Sequence, residues 1–149
     1  MAKFKYRMQN ILEIKEKLES QEKIAYSQAN ARVMEEQQKL QDLLVRRGGY
    51  ERQLKELQQG TLDIREIQTC KHSIDSMKSL IRTQMLQLHT AQKNLEIARA
   101  RLNEVMKDRK THENLRDKAF ETFKEELVHE ENKVTDELVS YTYHNKENE

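Results

Sequence analysis

The sequence predicts an all-α fold in which two long helices form an antiparallel coiled-coil hairpin, and three observations lead there. Ile74, Ile81, Leu88, Leu95 and Leu102 stand at strict seven-residue intervals, the mark of a helix with one narrow apolar seam to close against another. The 149 residues contain no proline and only three glycines, so little interrupts a helix. Charged residues make up 36% of the chain and aromatics 5%, too polar for a globular core but ordinary for long coiled helices. Disorder is the competing reading of so polar a chain; the net charge of +1 and the sustained heptads argue against it.

The first helix is expected over residues 3–58. Phe4, Ile11, Leu18 and Ala25 recur at sevens, with Met8, Ile14 and Ala29 widening the stripe. From Val33 the apolar positions become Leu40, Leu43, Tyr50, Leu54, Leu57 and Ile64. The step through Ala25, Ala29 and Val33 is then four plus four, a stutter that unwinds a supercoil locally. Gly48 and Gly49 fall inside this frame at a cost of about 1 kcal/mol each. Burying each large apolar neighbour returns about 1.5–3 kcal/mol, so the expectation is a continuous helix with a flexible or slightly kinked point. Residues 59–62 are the expected turn: Gly60 stands where a C-terminal cap would, and Asp63 with Glu66 has the form of a capping box.

The second helix is expected over residues 63–143, with Met77, Gln84, Ala91, Ala98 and Val105 as companions of the strong seam. Gln84 and Arg109 at seam positions either set the register or mark looser packing. Beyond Arg109 the apolar frame weakens and resumes as Phe120, Phe123, Leu127, Val134, Leu138 and Tyr141, a second expected stutter. Residues 144–149 read as a polar tail, and residues 1–149 as one coiled-coil hairpin. Arms of roughly 57 and 80 residues would be about 85 and 120 Å long. About 25 residues of the second arm, Phe120, Phe123, Leu127 and Val134 among them, are then expected to project without an internal partner, leaving an apolar stripe for something to bind.

Chemistry is largely excluded. There is no GxxxxGK[ST] loop, because Gly48-Gly49 runs on into Tyr50-Glu51. The histidines, His72, His89, His112, His129 and His144, never reach HExxH spacing. Two paired helices enclose no pocket for acid–base work, so neither enzyme activity, metal nor cofactor is expected. Near-equal acids and bases oppose nucleic-acid binding, and the basic groups Lys3, Lys5, Arg7 and Lys107, Arg109, Lys110 read as solvated helix faces. Cys70 is the one cysteine and reads as a half-buried small side chain. With no signal-like apolar run at the start and no stretch long enough to cross a bilayer, the expectation is a cytoplasmic protein without direct membrane insertion.

Certain stretches resemble a known family over nearly the whole chain. They are the opening Phe4-Lys5-Tyr6-Arg7 with Leu12 and Ile14, then Tyr50-x-x-x-Leu54-x-x-Leu57 before the glycine turn, and Ile74-x-x-Met77-x-x-x-Ile81-x-x-Gln84 after it. Arg101-Leu102 through Glu113-Asn114-Leu115-Arg116 and the acidic Glu130-Glu131 to Asp136-Glu137 complete the set. In order and length these look like the FliJ family, small coiled-coil proteins of the bacterial flagellar type III export apparatus. The resemblance implies an antiparallel coiled coil similar to the central stalk, or gamma-type subunit, of rotary ATPases. It also implies a place in the hexameric ring of the export ATPase FliI, a link to the export gate protein FlhA at the cytoplasmic face of the membrane, and assistance to export substrates or chaperones.

The family's gate-contacting face matches Ser73, Met77, Leu80 and Gln84 here, with Ser73 where an aromatic is often found. Phe4, Met8, Ile11, Phe120, Phe123 and Leu127 are the expected ATPase-facing end, on the strength of the unpaired stripe. Rival readings are the stalk protein of a virulence type III secretion system, a prefoldin-like helical holdase, and a homodimeric structural coiled coil without a hairpin.

Overall fold

The computed structural model describes residues 2–148, which form two helices, α1 (Gln9–Leu57) and α2 (Ile64–Glu147). α1 passes through Gly48 and Gly49 without a break, as the balance of burial against propensity predicts. Beyond its end, the Gln58 and Gln59 N–H groups donate to the carbonyls of Leu54 and Glu56, each at 3.1 Å, satisfying acceptors that a helix terminus otherwise leaves bare. Gly60 follows with φ of 114°, a conformation that side chains with a Cβ resist. Asp63 then caps α2: its Oδ1 accepts from the Arg65 N–H at 3.0 Å and the Glu66 N–H at 3.5 Å.

Two boundaries differ from expectation. α1 begins at Gln9 rather than near Lys3, and residues 2–6 lie outside any helix. Lys3, Lys5 and Arg7 would crowd three cations against the positive end of a helix dipole, and no capping hydroxyl or carboxylate precedes them. At the other end α2 runs to Glu147, so residues 144–147 of the expected polar tail are helical. His144 and Lys146 in that last turn suit the dipole's negative end.

The chain divides into two compact units, Ser20–Asn103 and Met1–Glu19 with Glu104–Glu149. In the first, α1 and α2 run antiparallel on either side of the turn: Cys70 Sγ donates to the Tyr50 carbonyl at 3.1 Å, and Gln84 Nε2 to the Glu36 carbonyl at 3.0 Å. Farther from the turn, Arg99 of α2 lies beside Tyr26 of α1. Cys70, Ile74, Met77, Ile81 and Ala91 are buried from α2, and Val33 from α1. In the second unit Leu12 is fully buried, and Lys15 Nζ lies 2.6 Å from Asp108 Oδ2. Arg109 pairs with Glu19 and, at 2.7 Å, with Glu113.

The first expected stutter is absent from the pattern of burial. The sheltered residues of α1 run Leu12, Lys15, Glu19, Glu22, Tyr26, Ala29 and Val33, then Glu36, Leu40, Leu43, Arg47, Tyr50, Leu54 and Leu57, in unbroken steps of three and four. Ile11 and Leu18, placed on the seam by sequence, are 39% and 38% exposed, and Ala25 is exposed as well. On α2 the same alternation continues from Val105 through Arg109, His112, Arg116, Ala119 and Phe123, and the further step of four to the half-buried Leu127 is the second expected stutter. Polar side chains occupy seam positions at these places, so the apolar residues alone trace a false frame.

Candidate interaction surfaces

Residues 2–6 leave the helical path and return to α2 through Phe4. Its ring meets Phe120 edge-on, with centroids 5.0 Å apart at 63°, and Phe123 at 5.5 Å and 50°. Such ring pairs add about 0.5–1.5 kcal/mol beyond the area they bury. The Lys124 ammonium lies over the Phe120 ring, 4.5 Å from its centroid. Lys5, Tyr6, Gln9, Arg116 and Asp117 complete a shallow groove of about 750 Å³ around Phe4 and Phe120. The expectation that Phe120 and Phe123 lack an internal partner is thus corrected, because Phe4 supplies one.

The remaining members of that end set stand apart from the cluster's centre. Met8 is exposed, Ile11 is turned away from the seam, and Leu127 is half-buried. From Val128 to Asn148 every residue is exposed, including Val134, Leu138, Val139, Tyr141 and Tyr143. The unpaired stretch of α2 therefore begins after Leu127, later than the arithmetic of arm lengths places it.

Near the turn, Ser73, Met77, Leu80 and Gln84 divide into two kinds. Met77 and Gln84 are buried and spent on packing within the hairpin. Ser73 is half-buried, its hydroxyl donating to the Thr69 carbonyl at 3.1 Å, and Leu80 is 49% exposed. A partner approaching this face reaches Leu80 and part of Ser73. Gln84 serves instead as the donor for Glu36, whose carboxylate it contacts along with the backbone. Arg32 Nη2 lies 2.9 Å and Lys39 Nζ 3.7 Å from the same carboxylate. The Gln84 amide first, with the Lys39 and Arg32 charges after it, holds Glu36 below the ordinary carboxylate range against the opposing effect of burial. Of the two readings left open for Gln84, this geometry is that of a register-setting residue.

Arg109 joins the Glu19 and Glu113 carboxylates inside its seam, which takes it out of the basic group Lys107, Arg109, Lys110. Lys15, Glu19 and Glu36 were not legible as seam members, since a charged side chain in a polar stretch carries no periodic signal of its own. Among the described residues, no three His, Cys, Asp or Glu side chains gather as metal ligands, and no helix is long and apolar enough to cross a membrane.

A sequence profile of the family described as Flagellar FliJ protein matches residues 4–148. No curated protein and no solved structure matches the chain.

Proposed function

The chain belongs to the flagellar FliJ protein family and is a component of the flagellar export apparatus, and from that premise we propose that it is the non-catalytic central stalk and regulator of the export ATPase. In this reading it engages the FliI hexamer at the end carrying Phe4, Met8, Ile11, Phe120, Phe123 and Leu127. It reaches the gate protein FlhA through the face that holds Ser73 and Leu80, beside the buried Met77 and Gln84. It assists export substrates or their chaperones while peripherally attached to the cytoplasmic face of the membrane through these partners.

The observation that carries this reading is the run of α2 beyond Leu127, exposed at every residue and continuous with the Phe4–Phe120–Phe123 cluster. An apolar stripe with no cover in its own chain is a surface for another protein.

Replacing Phe120 and Phe123 together with serine is expected to reduce capture of the purified export ATPase, and replacing Leu80 with aspartate to reduce capture of the gate protein. Circular dichroism on each variant checks that the helices survive loss of the Phe4 contact. Undiminished capture by a folded variant removes the corresponding face from the proposal.

A further inference from the structure

The stripe past Leu127 has a chemistry that its partner must match. Phe120, Phe123, Leu127, Val134, Leu138 and Tyr141 follow one face of α2, since positions three, four and seven apart lie above one another. Glu126, Glu130 and Glu137, at intervals of four and seven, form a row along one border of that face, and Glu131 lies close to its other border. Over residues 128–148 there are five acidic side chains against two lysines, and all of them are exposed.

We propose that this face docks a partner helix whose apolar seam is bordered by lysine or arginine, forming a hetero-coiled coil. Charge complementarity sets the class of partner, because the residues beside a seam meet their counterparts across it. A second copy of this chain is a poor occupant. Laid parallel it sets the Glu130 and Glu137 border against the Glu131 border, and laid antiparallel it sets the Glu130 and Glu137 rows against each other. Like charges so placed act against self-pairing.

The contact already present on the same helix has this character. The segment whose Phe4 packs on Phe120 is Lys3-Phe4-Lys5-Tyr6-Arg7, in which basic and aromatic residues alternate, and Lys5 and Asp117 line the adjoining groove together. The exposed face continues that interface along α2, with more carboxylates and, among the described residues, no occupant from within the chain. This inference deepens the proposal that this end meets a partner. It rests on that reading for the partner's identity, and its own content is the partner's charge.

The test uses the full chain and two designed heptad peptides of about three heptads with identical leucine seams, one bordered by lysine and the other by glutamate. Fluorescence anisotropy is expected to show the lysine-bordered peptide binding roughly tenfold more tightly or better. That preference shrinks as salt rises from about 0.05 to about 0.5 M. In the chain carrying E130K, E131K and E137K, whose altered side chains are all exposed, the preference reverses. Equal binding of the two peptides, binding of neither, or sedimentation of the chain as a dimer that protects Leu138 overturns the proposal. Capture of the export ATPase by the same triple variant separates this idea from the proposed function. Reversed peptide choice with undiminished ATPase capture keeps the charge rule and removes the ATPase from this end.

Discussion

A carboxylate with 1% of its surface exposed, as Glu36 has, needs donors from more than one direction, and here they come from both helices. Gln84 reaches it across the seam, while Arg32 and Lys39 reach it along α1. Because these contacts lower the folded-state pKa, the stability they contribute is fully present above the ordinary value of 4.5 and is lost as pH falls through the lowered one. Asp108, held down by Lys15 from its ordinary 3.8, acts in the same direction in a still more acid window. Urea midpoints measured between about pH 6 and about pH 3 are therefore expected to fall in the native chain and to fall less steeply in Glu36→Gln. Coincident slopes would mean that the Glu36 contacts do not couple to folding. At Leu12, which is fully buried, truncation to alanine is expected to cost about 2–5 kcal/mol. The same change at Leu18, 38% exposed, is expected to cost well under that. Equal costs in a denaturation series would restore the frame that apolar periodicity alone suggests.

At the level of elements, the second helix was easier to read than the first, and the reason is which residues fill the seam. Ile74, Met77, Ile81, Leu88 and Ala91 are apolar where α2 is sheltered, so periodicity and packing agree. On α1 the sheltered positions include Lys15, Glu19, Glu22 and Glu36, while Ile11, Ile14 and Leu18 face outward, and a frame drawn through the apolar residues slips. The turn was legible because its signals are local: Gly60 has the left-handed φ its position suggested, and Asp63 accepts from the first N–H groups of α2. The Phe4 contact was not, since it joins residues 116 positions apart through a segment outside any helix. The glycines yield a prediction of opposite signs. Alanine at Gly48, helical and with nothing within 4 Å of the added Cβ, is expected to stabilise by about 1 kcal/mol. Alanine at Gly60, equally uncrowded but at φ 114°, is expected to destabilise by about 1–2 kcal/mol. Thermal midpoints that move in the same direction for both would show that backbone conformation is not what separates them.

For the molecule as a whole, function was legible only through the order and length of stretches that are individually weak, because a coiled coil has no catalytic constellation to recognise. What the structure adds is a division of labour along α2. Up to Leu127 its sheltered face is occupied by the rest of the chain, and from Val128 to Asn148 none of the described residues covers it. A segment that buries none of its surface adds little to folding, since exposed residues away from caps and charge networks usually matter by no more than about 0.5 kcal/mol each way. A chain ending after Leu127 is therefore expected to unfold at nearly the midpoint of the full chain. Its helical signal should fall only by the share of α2 removed, and capture of the export ATPase should be lost. If the midpoint drops substantially, the segment has a role in folding that its exposure does not reveal. If the midpoint holds and capture persists, the covered part of the chain alone engages the ATPase, and the exposed end belongs to a different partner.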